Sequence, residues 1–274
     1  MAATKIVIEA GRTERRYWRD LWRFRELLFF LAWRDISVRY KQTVIGIAWA
    51  VIRPLVTMAI MVVVFGSIAK LPSGGVAYPV LVLSGMLAWQ LFATGFSAAS
   101  ESLVSNGNLI SKVYFPRLIV PLSAVAVSVV DFLVTLPILF GLMAWYGVEP
   151  TWRLALFPVF VLLAMLAALS VGVWLAALNV KFRDFRYVIP FALQFGVYIS
   201  PVGFSLAAVP EEYRWLFVLN PAVGLIEGFR WSLLGQCHEL TAAAVAVTVA
   251  AVVLLFASGV RYFRRTERTF ADVI

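Results

Sequence analysis

Long apolar runs separated by short polar segments dominate the chain, and six of these runs are long enough to cross a membrane. A helix needs roughly 20 mostly apolar residues to span the hydrocarbon core of a bilayer. The runs are continuous and do not alternate with polar residues, which is typical of membrane helices and not of a membrane barrel. We therefore predict an all-α polytopic membrane protein with six transmembrane helices, at about 45–69, 78–103, 117–145, 154–178, 187–206 and 242–260.

Residues 14–41 carry a different pattern, in which aromatic residues and arginines share one helix. Trp18, Trp22 and Phe29 recur near one face, while arginines such as Arg19 occupy much of the remainder. A helix that is basic on one side and aromatic on the other lies in the membrane interface, because crossing would bury too many arginines. We predict an N-terminal amphipathic interface helix.

A polar island, Ser105–Arg117, separates the second and third predicted spans. Its turn formers at 106–108 are followed by apolar residues at helical spacing, and Pro116 ends the segment. A short helix at a membrane surface has little reason to carry many apolar side chains unless something packs on them. The pattern alone leaves two interpretations open: a docking site for a soluble partner, or a helix lying on lipid headgroups.

Residues 209–240 are too interrupted to span a membrane and too apolar for a free loop. Pro210, Asn220, Pro221 and several charged residues break the apolar stretch. Two short half-helices that dip into the outer leaflet, with their backbone shielded by protein, would account for both properties. We predict such half-helices before the last span.

The basic residues are distributed unequally between the two sides of the predicted spans. Only 14% of the residues are charged, and the net charge is +9. Nineteen Lys and Arg residues fall in the N-terminal segment, the 104–117 and 180–186 loops and the C-terminal tail, against four on the opposite side. Since Lys and Arg accumulate on the cytoplasmic side, we predict cytoplasmic termini and these domains: a tail with the interface helix at 1–44, a transmembrane domain at 45–264 and a tail at 265–274.

Two charged residues lie well inside predicted spans, away from their ends, where they need a partner or water. Arg53 lies about two turns into the first span, so it either extends back to the headgroups or faces a polar pathway or a subunit contact. Asp131 lies near the middle of the third span. It is either a hydrogen-bonded structural residue or a residue that lines or couples a channel.

The sequence lacks the usual motifs of nucleotide binding and covalent catalysis. It contains no GxxxxGK[ST] phosphate loop, no HExxH and no GxSxG, and few ionisable groups are available for a proton relay. We expect no enzyme activity in this chain, no metal site and no nucleic-acid partner. An energy source on another polypeptide would fit the polar island as a docking site.

Four segments, in order and across nearly the whole chain, resemble the membrane subunits of type 2 ABC exporters of polysaccharides, the permeases for O-antigen, teichoic acid and capsule. They are RDISVRYKQTVIGIAWAVIRPL at 34–55, NGNLISKVYFPR at 106–117, NVKFRDFRYVIPFALQF at 179–195 and LNPAVGLIEGFR at 219–230. No single segment is decisive, and together they are specific to that family. The resemblance implies a homodimer with two copies of an ABC ATP-binding subunit, which would bind ATP and Mg²⁺ so that this chain needs no cofactor.

The resemblance also implies roles for particular residues. A helix near 106–115 would couple to the ATPase, through Asn108, Leu109, Ile110, Lys112, Val113, Tyr114 and Phe115. The first and fifth helices would line a glycan channel, with contacts from Phe191, Gln194, Phe195 and Tyr198. Arg53 and Asp131, identified above as charges inside predicted spans, are further candidates for channel or glycan contact. An aromatic stripe such as Phe191, Phe195 and Tyr198 also occurs in ordinary helix packing. Half-helices at 209–235 would form an extracytoplasmic gate that includes Asn220, Pro221, Glu227 and Arg230.

The expected function is that of a permease that moves a lipid-linked polysaccharide across the bacterial cytoplasmic membrane while ATP is hydrolysed by its partner. Two alternatives stay open: a type 2 ABC permease for drugs or lipids, which would share the fold, and an ion-coupled carrier. If the chain is a polysaccharide permease, its expected partners are the ATPase, a second copy of the chain, the lipid-linked glycan and membrane lipids.

Overall fold

The computed structural model describes residues 17–41, 46–235, 242–267 and 270, so the predicted polar tail before Tyr17 lies outside the described residues. Every regular element within these ranges is a helix, which confirms the predicted fold class. The helices are α1 (Tyr17–Arg23), α2 (Arg25–Lys41), α3 (Gly46–Met61), α4 (Tyr78–Ser105), α5 (Gly107–Lys112), α6 (Ile119–Trp145), α7 (Phe157–Lys181), α8 (Phe185–Ile199), α9 (Glu211–Val218), α10 (Pro221–Leu234) and α11 (Ala242–Thr266).

Five helical segments in the described part of the chain are long and apolar enough to cross a membrane. They are Ala48–Ile68, Tyr78–Ser105, Ile119–Trp145, Trp152–Lys181 and Ala242–Thr266. The first is α3 with a π-helical continuation, Val62–Ile68, and the fourth is α7 with a preceding 3₁₀ turn, Trp152–Leu156. The chain is therefore a multi-pass membrane protein.

The fifth predicted span, 187–206, is shorter in the structure than in the sequence-based prediction. Helix α8 ends at Ile199, and its 15 residues rise about 22 Å, less than a hydrocarbon core of about 30 Å. Ser200 precedes Pro201 and has an extended backbone. The residue before a proline disfavours the helical conformation, which explains why the helix stops there.

Helix α4 forms the centre of the bundle and packs against α6, α7 and α10. The contact with α7 is close because small residues face each other: a Cβ atom on Gly172 would lie 2.5 Å from the Cβ of Ala99. Small residues allow membrane helices to approach closely, so that dispersion contacts and weak hydrogen bonds replace the hydrophobic driving force. The sequence predicted such a neighbour for α4 from its Gly, Ala and Ser content.

The two ends of α4 contact different parts of the molecule. Residues from Val80 to Leu91 form a core cluster with α6, α7 and α10. Leu103, near the other end, belongs to a second cluster with α1, α2, the start of α6 and the end of α11. The polar island and the half-helix α10 therefore lie toward opposite ends of the bundle.

The predicted N-terminal helix is divided in two. A turn at Phe24 separates α1 from α2, although Phe24 N–H still donates to the carbonyl of Asp20 at 2.9 Å. Leu31 is buried in the second core cluster, whereas Phe29 and Trp33 are about 70% exposed. Helix α2 thus packs one face on the bundle and leaves an aromatic face uncovered.

Candidate functional site

The polar island forms a helix that is shorter than predicted. Helix α5 covers Gly107–Lys112, and Val113 already has an extended backbone, so Tyr114 and Phe115 are not helical. Pro116 explains part of this correction, since it disfavours a helical Phe115. Ile110 and Phe115 are buried in the second core cluster. They anchor the segment to the bundle and are not available to a partner.

The other predicted coupling residues form the outward side of this segment. Asn108 and Lys112 are exposed, Leu109 is half-buried, and Val113 and Tyr114 are each about half exposed. Two adjacent apolar or aromatic side chains beside a lysine make a small mixed surface. Because Ile110 and Phe115 are buried behind it, this surface is attached directly to the second core cluster.

Helix α2 supports the same segment from the side. The Nη2 atom of Arg34 donates to the Oδ1 atom of Asn106 at 2.7 Å, directly before α5. The amide of Asn106 in turn donates to the carbonyl of Ser102 at 2.9 Å, near the end of α4. The N-terminal helix and the polar island are therefore connected by a side-chain hydrogen bond, as well as by shared apolar packing.

The C-terminal tail closes over the other side of the segment. The Oε1 atom of Glu267 accepts from the backbone N–H of Arg117 at 2.8 Å and from the Tyr17 hydroxyl at 3.5 Å. Arg117 also donates to the Glu267 carbonyl, and the Arg264 guanidinium lies 4.6 Å from the Tyr17 ring. Burial raises the pKa values of both Glu267 and Tyr17 above their ordinary values. We call this group the tail clasp.

Sequence reasoning missed the tail clasp. The spacing of 150 residues between Arg117 and Glu267 leaves no local signal in the sequence. A single glutamate in the basic segment RYFRRTER at 261–268 was the only available indication.

A cavity of about 430 Å³, lined by charged and polar as well as apolar side chains, lies among α2, α3, α4, α6 and α8, and we call it the polar cavity. Arg53 and Asp131, the two intramembrane charges predicted from sequence, both line it. Gln90 and Thr94 of α4 line it too, and the sequence analysis did not single them out. A polar cavity at this depth provides the setting in which charged side chains are tolerated within a membrane protein.

Asp131 is held by the end of α2. The Nη1 atom of Arg39 lies 2.9 Å from its Oδ2 atom, and the Tyr40 hydroxyl donates to its Oδ1 atom. Burial of the phenol, followed by its hydrogen bond to Asp131, raises the pKa of Tyr40 to about 12, so Tyr40 stays protonated and donates. This pair was not foreseen, because 91 residues separate Tyr40 from Asp131.

The predicted aromatic stripe of α8 lies outside the lining of this cavity. Phe191, Phe195 and Tyr198 are 51–66% exposed, and Gln194 is exposed beside them. The rings of Phe191 and Phe195 are 4.5 Å apart, so they form a continuous aromatic surface. Val197, on another face of α8, is the residue of this helix that reaches the cavity.

The four predicted gate residues are buried or serve as structural contacts around α10. Asn220 caps the helix by accepting from the backbone N–H of Ala222 at 3.0 Å, and Pro221 follows in the first turn. Glu227 and Arg230 form a 2.8 Å ion pair that is almost completely buried. Arg230 also donates to the carbonyls of Val202 and Phe204, each at 2.9 Å. This pair joins α10 to the turn after α8.

A second cavity of about 360 Å³ is almost entirely apolar and lies between α7, α8, α10 and α11. Trp89 borders both cavities and therefore separates the polar from the apolar one. Gly196 of α8 lies against the Trp89 ring. Within the described ranges, no group of three or more His, Cys, Asp or Glu side chains is arranged to hold a metal ion.

Comparison with known proteins places this geometry in context. A family model described as ABC-2 type transporter matches residues 26–234. The chain is 30% identical over 262 residues to a Myxococcus xanthus protein named O-antigen export system permease protein RfbA, which covers 93% of this chain and 98% of that protein. A Klebsiella pneumoniae protein of the same name is 25% identical over 251 residues, covering 91% and 95%. The Escherichia coli polysialic acid transport protein KpsM is 26% identical over 198 residues, covering 71% and 76%.

Proposed function

The chain belongs to the ABC-2 type transporter membrane family, and from this premise we propose that it is the membrane subunit of an ATP-driven exporter of a lipid-linked polysaccharide. The observation that carries the proposal is the similarity to an O-antigen export permease along 93% of the chain. The similarity to a polysialic acid transport protein points to the same broad class of cargo.

The outward side of the polar island is the proposed contact with a separate ATP-binding subunit, which would hold ATP and Mg²⁺. Val113 and Tyr114 supply apolar and aromatic area, Lys112 supplies charge, and Asn108 supplies hydrogen bonding. Aromatic residues near the centre of an interface often contribute most of the binding energy. The buried residues Ile110 and Phe115 would transmit force from this contact into the bundle.

A second copy of the chain is proposed to complete the transport path. Helix α3 is nearly unburied within one chain, and α8 exposes Phe191, Phe195 and Tyr198. If two copies face each other through α3 and α8, these rings line a path between them. Aromatic faces suit the C–H surfaces of sugars, and the polar cavity with Arg53 and Gln90 would open toward the same path.

The proposed location is the bacterial cytoplasmic membrane, with both termini and the polar island in the cytoplasm. The distribution of basic residues supports this orientation. In that orientation, α9 and α10 lie toward the extracytoplasmic end, where α10 with its ion pair would form the fixed outer end of each path.

Deletion of the gene tests the cargo. We expect the lipid-linked polysaccharide to accumulate inside the cell and the surface glycan to disappear, with recovery on expression of the wild-type chain. Normal surface glycan in the deletion strain would contradict the proposal and would favour a drug or lipid permease.

A matched pair of substitutions tests the docking contact. Tyr114→Asp introduces a charge into the proposed interface, whereas Tyr213→Asp makes the same change on α9, where the tyrosine is 54% exposed. We expect Tyr114→Asp and Val113→Asp to reduce co-purification of the ATPase by about tenfold or more. Tyr213→Asp should leave co-purification unchanged. Equal retention of the ATPase by all three variants would contradict the proposed contact.

A further inference from the structure

Helix α2 contacts two sites that lie far from it in the sequence, 72 residues away at Asn106 and 91 residues away at Asp131. Arg34 holds Asn106 at the start of the polar island, and Arg39 with Tyr40 holds Asp131 at the wall of the polar cavity. Arg34 and Arg39 are separated by about 7.5 Å of helix rise. One short rigid element therefore contacts both the proposed ATPase docking segment and the proposed transport path.

The two oxygens of Asp131 have different partners on consecutive residues of α2. Arg39 forms an ion pair with Oδ2 at 2.9 Å, and the Tyr40 hydroxyl donates a hydrogen bond to Oδ1. Two bonds to one carboxylate fix both the position and the rotation of the end of α2. A carboxylate inside a membrane span costs free energy unless it has a partner. If Asp131 served only to pack α6, an uncharged residue could take its position.

The end of α2 leads directly into the cavity wall. Helix α3 begins at Gly46, five residues after Lys41, and contributes Trp49, Arg53 and Thr57 to the cavity lining. In contrast, α6 is firmly packed on α4 through buried residues such as Val125 and Phe132. Because the end of α2 is held against α6, a displacement of α2 at Arg34 would turn the helix about Asp131, and this rotation would reach α3, which follows α2 in the chain.

We propose that Asp131 is the positioning residue that anchors the end of α2 to α6, so that motion of the polar island is converted into motion of α3. This rests on the proposed function. Without the anchor, the end of α2 slips against α6 and the polar island moves without moving the cavity wall. Asp131 thus acts through Arg39 and Tyr40 and not by contact with the cargo.

The test uses the full complex of membrane subunit and ATPase in reconstituted membranes, with three readouts: co-purification of the ATPase, ATP hydrolysis, and glycan exported per ATP hydrolysed. We expect Asp131→Ala to retain the ATPase and its hydrolysis while export per ATP falls about two- to thirtyfold. Tyr40→Phe removes one hydroxyl only and should lower the same ratio less. These ratios are insensitive to a simple loss of folded protein.

A charge exchange separates an anchor from a cargo contact. Arg39→Asp alone should uncouple the complex, and Arg39→Asp combined with Asp131→Arg should recover part of the export per ATP, because the ion pair is restored in reverse. Glu149→Gln, at an exposed position in the loop between α6 and α7, is the control and should have no effect. The anchor is contradicted if export per ATP stays at the wild-type value in Asp131→Ala, or if the exchange recovers nothing. A wild-type chain that binds no ATPase would instead refute the proposed function.

Discussion

Two ion pairs in the same bundle show how differently its two regions are built. Glu227 and Arg230 of α10 are 0–3% exposed, and Arg230 is further bound to three backbone carbonyls. Arg39 and Asp131 are 50% and 22% exposed, and they border a polar cavity. The first pair is enclosed on every side and has no room to open. The second pair is only partly buried, so water can reach it from the cavity.

The helices around each pair differ in the same way. In the most apolar part of α4, which contacts the enclosed pair through the Leu81 carbonyl, 72% of the residues are buried, against 6% in α3 beside the cavity. Burial on all sides provides dispersion contacts that resist movement. The comparison divides the molecule into two regions. Helices α4, α6, α7 and α10 form a closely packed core, and α3 and α8 form a loosely packed wall of the cavity. Helix α2 connects the core to this wall.

The largest expected effect comes from breaking the enclosed pair. Glu227→Ala leaves the Arg230 charge buried without its partner, and such changes cost about 3–5 kcal/mol. We expect little folded protein in the membrane, measured as detergent-extracted protein with a normal thermal unfolding transition. Glu211→Ala removes the carboxylate of an exposed pair and should leave the yield unchanged. A normal yield of Glu227→Ala would show that the core is less rigid than its packing indicates.

Overfilling the core should have the next largest effect. A Cβ atom on Gly224 of α10 would lie 2.6 Å from the Ala244 carbonyl oxygen of α11. We therefore expect Gly224→Ala to lower the free energy of unfolding by about 1–3 kcal/mol. Gly141→Ala on α6 is the matched control, since nothing lies within 4 Å of its added Cβ. Equal unfolding temperatures of the two variants would contradict close packing of α10 on α11.

Neutralising the cavity pair should have a smaller effect on stability than breaking the core pair. Asp131→Asn keeps an acceptor for Tyr40 and loses only the charge opposite Arg39. For a partly exposed pair we expect a loss of about 1 kcal/mol or less in unfolding free energy. The comparison of the two regions is wrong if Asp131→Asn destabilises the protein as much as Glu227→Ala.

The smallest expected effect is a pH dependence of the tail clasp. Because burial raises the pKa of Glu267 above its ordinary value of 4.5, the folded state favours its protonated form. This contribution to stability is complete below pH 4.5 and is lost as the pH rises through the raised pKa. Protection of the C-terminal backbone from hydrogen exchange, corrected for the intrinsic rate, should therefore decrease as the pH increases. Glu267→Gln should abolish this dependence, and an unchanged profile in that variant would assign it to another group.

Most elements of the fold could be predicted from the sequence, because a membrane helix is recognised from a run of many apolar residues. The wrong predictions have local causes. The predicted fifth span ends at residue 206, seven residues beyond Ile199, because the apolar run continues past Pro201 although the helix stops before it. The polar island was extended into Tyr114 and Phe115 because their apolar character matched helical spacing, although the backbone there is not helical.

The sequence singled out charged residues inside spans, but it did not give the partners of those residues. Composition identified Arg53 and Asp131 as unusual, and the structure brings both to one cavity. The partners of Asp131, Arg39 and Tyr40, lie in a helix that was expected on the membrane surface, so no sequence pattern connected them. Likewise, Glu227 and Arg230 were assigned to an outer gate, and the structure places them in the interior as an i,i+3 pair. A charged residue inside a membrane span can be expected to have an ion-pair or hydrogen-bond partner. Which residue is that partner depends on the fold.

The most direct test of the central claim is a pair of distances measured with spin labels during the ATP cycle. The single cysteine, Cys237, is first replaced by serine, and labels are attached at exposed positions. One pair joins Ile60 of α3 to Leu162 of α7, and the other joins Leu133 of α6 to Leu162. In the complex with the ATPase, we predict that ATP changes the first distance by about 2 Å or more while the second stays constant, and that Asp131→Ala abolishes the change. A constant first distance, or equal changes in both, would contradict the account.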